Sequence, residues 1–226
     1  MVKQNFLRFI SHKLRTPASI IRGNASLLED GIVGPINPEQ KKTAGVISAQ
    51  AAVLTNLIDR LLNFIKLSKD NDLAPKEKVE LRTYLEEVVR PVIGSVKDKR
   101  TELNIDCGEG TCVFVDKGYL GLVIENLADN AVRFNDKDAL KIDIRVKCSP
   151  KEVEIAFSDN GPGIPPEDRD RIFQKFYQVE KRFTGQVRGL GLGLALSKHI
   201  IESAGGRLEL ESGIGRGATF IITIPC

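Results

Sequence analysis

The 226-residue sequence lacks the features that mark membrane-spanning and secreted proteins. No apolar run approaches the ~18 residues that a membrane-spanning helix needs. The first ten residues are charged and amphipathic, unlike a secretory signal peptide. We therefore expect this fragment to make no membrane contact and to work in the cytoplasm, although a longer parent protein would be free to carry a membrane anchor.

The sequence also lacks the patterns of zinc-binding and nucleic-acid-binding proteins. Its four cysteines (Cys107, Cys112, Cys148 and Cys226) form no CxxC pair and have no histidine nearby, so we expect reduced thiols and no zinc site. The formal net charge of +3 is spread along the chain without a Lys/Arg cluster interleaved with aromatics, which predicts no nucleic-acid binding. With 42% hydrophobic and 28% charged residues, the composition is that of an ordinary globular protein.

The first part of the chain is predicted to be a helical hairpin. Apolar residues recur mostly at three- and four-residue spacing between Phe6 and Leu28. Turn-forming residues follow at positions 30–38. Asn37 is predicted to cap the second helix, with Pro38 at its first position and Gln40 three residues after the cap.

The second helix carries a heptad-like apolar stripe that includes Ile47, Leu54 and Leu61. Two antiparallel helices cannot by themselves bury an apolar stripe on each. Pairing with a second copy would bury both stripes, so we expect a homodimer with a four-helix bundle.

A polar stretch then breaks the periodicity and predicts a linker over residues 70–76, between domains at 1–69 and 77–226. The second domain mixes both element types. Helices are predicted over 81–96, 119–134 and 190–204, and strands over 103–105, 113–115, 142–147, 152–157, 208–210 and 218–224. The strands at 142–147 and 152–157 are expected to form a hairpin, and the pattern favours an α+β sandwich over a doubly wound sheet.

Four polar or aromatic residues share one face of the helix predicted at 119–134: Asn126, Asn130, Arg133 and Phe134. Amide oxygens suit Mg²⁺ that also carries phosphate oxygens, and an arginine on the same face can neutralise phosphate charge. The alternative interpretation is an exposed polar helix face.

Two glycine-containing segments complete this pattern. The segment Asp159–Ile164 follows a strand directly, where a carboxylate can accept the exocyclic amine of adenine, although a plain Asx-Gly turn is the alternative. The segment Gly189–Leu194 opens a helix, where free backbone N–H groups can meet phosphate. Neither the dinucleotide fingerprint nor the GxxxxGK[ST] loop is present.

In this order, the three segments resemble the N, G1 and G2 boxes of the GHKL-type ATP-binding domain of histidine kinases. The segment Ile172–Gln178 resembles the F box, and Gly215–Phe220 resembles the final glycine block. The resemblance covers residues 77–226. It implies that the domain is a GHKL-type α+β sandwich that binds ATP and Mg²⁺.

The resemblance also implies residue roles. Asn130 would bind Mg²⁺ with Asn126 beside it, and Asp159 would recognise adenine. The implied ATP-binding residues are Asn126, Asn130, Arg133, Phe134, Asp159, Gly161, Gly163, Ile164, Arg182, Gly189, Gly191, Leu192, Gly193, Leu194 and Thr219. Residues 178–188 would form a lid over ATP. Many family members have an arginine where this chain has Gln178. The phosphate contact of that arginine would here be made by Lys181, Arg182 or Arg188.

The segment Phe9–Pro17 resembles the H box of the histidine kinase dimerisation domain, which residues 1–69 fit. This implies that His12 is the phosphoacceptor, whose neutral imidazole attacks the γ-phosphoryl group. Thr16 matches the position that the family uses to orient water for phosphatase activity. A lone histidine in a helix is more often structural, and we interpret His199 in that way.

One position departs from the family. An Asp or Glu usually follows the phosphoacceptor histidine, but this chain has Lys13, a donor-only side chain that disfavours a neighbouring imidazolium. Because phosphoryl transfer depends mainly on positioning and charge stabilisation, we expect weak or conditional autophosphorylation rather than none.

The favoured function is a sensor histidine kinase core that phosphorylates His12 and passes the phosphoryl group to an aspartate of a response-regulator receiver domain. A related GHKL ATPase would carry a catalytic Glu four residues before the metal-binding Asn, where this chain has Asn126; Glu125 points about 100° away. A degenerate kinase that acts as a dimeric scaffold or allosteric regulator is supported by Lys13 alone.

Overall fold

The computed structural model describes residues 2–67, 76–96, 99–179 and 191–226. The chain divides into two compact units, Met1–Lys69 and Asp70–Cys226. None of the helices in the described ranges is both long and apolar enough to cross a membrane.

The first unit is a pair of packed helices, α1 (Val2–Glu29) and α2 (Pro38–Leu67). The predicted capping box at the start of α2 is confirmed: the Gln40 amide donates to Asn37 Oδ1 at 2.8 Å, and the Asn37 amide donates to Gln40 Oε1 at 2.9 Å. Pro38 occupies the first helical position, where a backbone N–H would have no partner within the helix, so the lack of this group in proline costs no hydrogen bond. The helical hairpin is therefore confirmed.

In the described part of the hairpin, small residues and Ile58 are buried, while other larger apolar residues are exposed. The buried small residues are Ala18, Ala25, Ala44 and Ala51. Seven larger apolar side chains of α1 and α2 are 39–57% exposed: Ile20, Ile21, Leu27, Leu28, Val46, Ile47 and Leu54. A single copy of the hairpin therefore leaves an apolar surface uncovered, as the sequence predicted.

The second unit contains three α-helices, one short 3-10 helix (Pro166–Asp168) and seven strands in its described part. In chain order the α-helices and strands are β1 (Glu77–Glu80), α3 (Leu81–Gly94), β2 (Arg100–Asp106), β3 (Cys112–Val115), α4 (Lys117–Phe134), β4 (Ala139–Cys148), β5 (Glu152–Asp159), α5 (Gly193–Ser203), β6 (Arg207–Ser212) and β7 (Ala218–Pro225). Five strands form one sheet in the order β2-β4-β5-β7-β6, while β1 pairs with β3 separately.

One face of the five-stranded sheet forms the core. Alternate residues of β4, β5 and β7 are buried on it, among them Ile144, Ile155, Phe157 and Ile222 at 0% exposure. Helices α3, α4 and α5 contribute buried apolar side chains to the same unit. The predicted α+β sandwich is confirmed.

The observed elements match the predicted ones apart from the short 3-10 helix at Pro166–Asp168, which was not predicted, and two further features. Strand β1 was not predicted, and β2 pairs with β4 in parallel, whereas all other strand pairs in the described residues are antiparallel. The hairpin of β4 and β5 is confirmed, and the amide of Ser149 donates to the Glu152 carbonyl at 2.9 Å within its turn. Helix α5 begins at Gly193, and the predicted start at position 190 lies outside the described residues.

Candidate functional site

The last two turns of α4 carry Asn130, Arg133 and Phe134. Asn130 is half-buried, and its side-chain amide makes no hydrogen bond within the described part of the chain. Arg133 is exposed, and the Phe134 ring is 48% exposed. This end of α4 thus presents an oxygen ligand, a cation and an apolar ring together, the three kinds of group that a magnesium nucleotide requires.

Asn126, one turn earlier on α4, is in a different environment. It is only 2% exposed, and its Nδ2 donates to Ser197 Oγ on α5 at 3.4 Å. The side chain therefore joins α4 to the helix that follows the third glycine segment. A buried amide needs such a partner, because burying it without a hydrogen bond costs about 1–3 kcal/mol.

Asp159 is the last residue of β5, and its carboxylate is held by backbone donors. The amides of Gly161 and Ala218 donate to Oδ1 at 2.8 and 3.4 Å. Burial raises the pKa of this carboxyl, and the two backbone hydrogen bonds together with the charge of Lys137 oppose that rise. Both of these bonds use Oδ1, and Oδ2 accepts no hydrogen bond within the described residues, so it could accept one from a ligand.

The loop after Asp159 and the final glycine segment approach each other at backbone distance. Gly163 and Gly217 both adopt left-handed conformations, with φ values of +76° and +82°. A Cβ at Gly163 would lie 2.0 Å from the Gly213 carbonyl oxygen, and one at Gly217 would lie 1.9 Å from the Asp159 carbonyl oxygen. Only glycine permits either contact.

Hydroxyl groups connect the same two segments. Ser212 Oγ accepts a hydrogen bond from the Ile164 amide at 2.8 Å and donates to the Gly217 carbonyl at 2.8 Å. Thr219 Oγ1 lies 2.9 Å from Ser158 Oγ across β5 and β7. The structure therefore brings five of the predicted residues together: Asp159, Gly161, Gly163, Ile164 and Thr219.

The third glycine segment packs on the F box. Gly191 has φ +64°, and its carbonyl accepts from the Phe176 amide at 2.9 Å. Leu192 is buried and precedes α5, which Gly193 and Leu194 begin. Among the described residues, no side chain caps the start of α5, and backbone N–H groups at a helix start are suited to phosphate. The predicted ligands Arg182 and Gly189, and most of the predicted lid, lie outside the described residues.

The predicted phosphoacceptor region lies in α1. His12 and Lys13 are helical, and their side chains are outside the described part of the structure. Thr16 is exposed one turn later, and Pro17 lies inside the helix, where its ring removes one backbone donor. Residues four apart on a helix are neighbours on one face, so Thr16 follows His12 along the same side.

Sequence reasoning missed three polar residues that organise the site: Asn135, Asn160 and Ser212. Asn160 was visible within Asp-Asn-Gly, but this motif equally describes a turn. Asn135 and Ser212 sit at element ends, where polar residues are common and carry little signal on their own.

Comparison with known proteins supplies the family. Residues 2–69 match the His Kinase A (phospho-acceptor) domain, and residues 115–226 match the histidine kinase-, DNA gyrase B- and HSP90-like ATPase family. The chain belongs to the sensor histidine kinases. It is 31% identical to the sensor histidine kinase GlrK of Escherichia coli K12 over 99% of this chain and 46% of GlrK. It is 30% identical to the sensor protein SrrB of Staphylococcus aureus over 99% of this chain and 38% of SrrB.

Solved structures of histidine kinases share the fold. Full-length ShkA in complex with AMPPNP has a TM-score of 0.74 and 27% identity, over 98% of this chain and 45% of ShkA. The Acinetobacter baumannii histidine kinase AdeS has a TM-score of 0.64 at 24% identity, over 95% of this chain and 97% of AdeS, which supports the fold alone. The chain spans less than half the length of the curated sensor kinases named above. In this chain the match to the ATPase family follows the match to the phosphoacceptor domain.

Proposed function

We propose that this chain binds Mg-ATP in its second unit, transfers the γ-phosphoryl group to His12, and passes it to an aspartate of a response-regulator receiver domain. Two observations carry the proposal: residues 2–69 match a phosphoacceptor domain, and the second unit of the same chain holds a partly buried carboxylate, Asp159, whose Oδ1 accepts from the Gly161 amide at 2.8 Å. The supporting relatives are sensor kinases longer than this chain.

The residues present fit a magnesium nucleotide. Asn130 offers a half-buried amide oxygen without a competing bond in the described residues, and Arg133 lies one turn further on. When bound, Mg²⁺ would neutralise charge on the phosphate oxygens. Oδ2 of Asp159 would accept the exocyclic amine of adenine, and the start of α5 would meet the phosphates.

In the proposed reaction, a nitrogen lone pair of neutral His12 forms a bond to the γ-phosphorus while the bond between that phosphorus and the β-bridging oxygen breaks. ADP leaves with the bond's electron pair, and the imidazole proton passes to solvent. Lys13 offers no acceptor for that proton, which is why we expect slow labelling. In the phosphatase direction, the Thr16 hydroxyl would orient water.

A GHKL ATPase would need a carboxylate base at the position of Asn126. In this chain that side chain is an amide, buried against Ser197 on α5. Neither its chemistry nor its burial suits a base that activates water, so this alternative is disfavoured.

The kinase proposal is tested by incubating the protein with γ-labelled ATP and Mg²⁺. The variants are His12→Ala, Lys13→Glu and, as a matched control, His199→Ala, which removes the only other histidine. We expect acid-labile, base-stable label in the wild type and in His199→Ala, none in His12→Ala, and faster labelling in Lys13→Glu. Label only in Lys13→Glu would favour a scaffold or phosphatase. No label in any form despite ATP binding would rule out autophosphorylation by this chain.

We also propose that the hairpin forms a homodimer through the exposed apolar residues of α1 and α2. Ile47 and Leu54 lie seven residues apart on α2 and are 43% and 46% exposed. A partner helix would bury both, as in a four-helix bundle.

The double variant Ile47→Glu with Leu54→Glu should give a monomer by light scattering. Phe114→Glu, at an apolar residue of β3 that is 58% exposed, should stay dimeric. A monomeric wild type would contradict the proposal.

A further inference from the structure

Two asparagines join the end of α4 to the loop that carries Asp159. Asn135 follows the last residue of α4 and is 8% exposed. Its Nδ2 donates to Asn160 Oδ1 at 2.9 Å. Asn160 in turn donates to the Ala139 carbonyl at 2.9 Å and accepts from the Lys141 amide at 2.9 Å. Both asparagine side chains are therefore fixed by several partners.

A lysine holds the first asparagine in its orientation. Lys99 Nζ donates to the Asn135 carbonyl at 2.8 Å and to Asn135 Oδ1 at 3.1 Å. The backbone amide of Lys137 also donates to Asn135 Oδ1, at 3.2 Å. Two donors on the oxygen direct the NH₂ group toward Asn160. The ammonium also lies at the carboxyl end of α4, where the helix dipole favours a cation.

This connection links two halves of the nucleotide pocket. Asn135 is bonded covalently to Phe134, and Asn160 is bonded covalently to Asp159. The Phe134 carbonyl oxygen lies 3.8 Å from where a Cβ at Gly161 would stand, so the two segments are adjacent. A shift in the bond between Asn135 and Asn160 would therefore move the adenine-binding carboxylate relative to the end of α4.

We propose that Lys99, Asn135 and Asn160 form a positioning network that sets the selectivity of the site for adenine over guanine. The inference rests on the proposed binding of ATP. A carboxylate accepts the exocyclic amine of adenine but meets a carbonyl oxygen at the equivalent position of guanine. Discrimination between the two therefore depends on where Asp159 Oδ2 lies, and small displacements weaken oriented contacts strongly.

The test measures Kd for ATP and for GTP, each with Mg²⁺, using the full chain. The variants are Asn135→Ala, Asn160→Ala, their double mutant and Lys99→Met. The matched control is Asn104→Ala, which removes another asparagine side-chain bond, from Nδ2 to Asp143 Oδ1 at 3.2 Å, in the same sheet. The ratio of the two Kd values is independent of the folded fraction, so simple destabilisation does not alter it.

We expect each network variant to lower the preference for ATP about threefold to tenfold, the size of one typical hydrogen bond. The loss in the double mutant should be smaller than the two single losses combined, because Asn135 and Asn160 share the bond between them. Asn104→Ala should keep the wild-type ratio. Equal losses of ATP and GTP affinity, or an unchanged ratio in a selective wild type, would overturn the network's role. A wild type that binds ATP and GTP equally would overturn it too, and one that binds neither would remove the proposed kinase function with it.

Discussion

Gly217 lies against the backbone of Asp159, close enough that a Cβ on Gly217 would stand 1.9 Å from the Asp159 carbonyl oxygen. The contact joins the final glycine segment to the start of the proposed adenine site. Because Gly217 also has φ +82°, alanine at this position would be strained in two ways.

We expect Gly217→Ala to lower the free energy of unfolding by about 3 kcal/mol or more, from left-handed strain and from overpacking. ATP affinity should fall as well, since Asp159 must move. Gly215→Ala is the matched control: Gly215 has φ +76° but nothing within 4 Å of its added Cβ. It should cost about 1 kcal/mol from strain alone. Urea unfolding and ATP titration measure both effects. Equal losses for both variants would show that the contact with Asp159 is unimportant.

The raised pKa of Asp159 predicts how ATP binding depends on pH. Under the proposed function the ionised carboxylate would accept the adenine amine, so we expect affinity to fall as the pH drops through the raised pKa, above the ordinary value of 3.8. Asp159→Asn should bind ATP more weakly at neutral pH and lose this part of the pH dependence. Titration of both proteins over one pH series removes effects of ATP's own protonation. Parallel pH profiles would contradict the assignment.

The raised pKa of Asp159 should affect stability in the opposite direction to ATP affinity as the pH falls. A folded-state pKa above the unfolded value means that the folded protein binds the proton more tightly, so stability should rise as the pH falls through the raised pKa. In Asp159→Asn this gain is absent. Without nucleotide, we therefore expect the asparagine variant to be the more stable protein at neutral pH, with the difference shrinking in acid. Urea unfolding at several pH values measures it, and a less stable variant at neutral pH would be the contrary result.

Asn126 and Asn130 should respond differently to alanine. Asn126→Ala removes the buried bond to Ser197 and should cost about 1–3 kcal/mol of stability. Asn130→Ala should leave stability nearly unchanged while it abolishes the gain in ATP affinity that Mg²⁺ provides. Thermal unfolding and ATP titration with Mg²⁺ or EDTA separate the two effects. An Asn130→Ala protein with a normal Mg²⁺ response would exclude Asn130 as the ligand.

The capping box of α2 offers a test confined to the hairpin. Asn37→Ala should cost about 1 kcal/mol, because it leaves the Gln40 amide without its side-chain acceptor. Asn37→Asp keeps an acceptor and should restore most of that loss. Hydrogen exchange at the start of α2 reports the effect directly. Unchanged exchange in Asn37→Ala would show that the box contributes nothing measurable.

Local signals in the sequence predicted the elements well. The capping box at Asn37 and the hairpin at Ser149 depend on residues close in the chain, and both are confirmed. The parallel pairing of β2 with β4 was not predictable in this way, because those strands are separated by β3 and α4. The link between Asn135 and Asn160 joins residues 25 apart and likewise has no local pattern. Helical spacing put Asn126 on the face that was predicted to bind the nucleotide. The contact of its side chain is decided instead by α5, which packs against α4 and supplies Ser197.

The pairing of β5 with β7 has a consequence for how the pocket comes into being. Ser158 meets Thr219 across a sequence separation of 61 residues, and the Ala218 amide completes the cradle of Asp159. A ribosome that has released the chain only as far as β5 has therefore made the Asp159 carboxylate but not its surroundings. Closing so long a loop is entropically costly and comes late in assembly. If Asp159 recognises adenine as proposed, nucleotide would bind only molecules in which β7 has already joined the sheet, and it would stabilise the completed fold selectively.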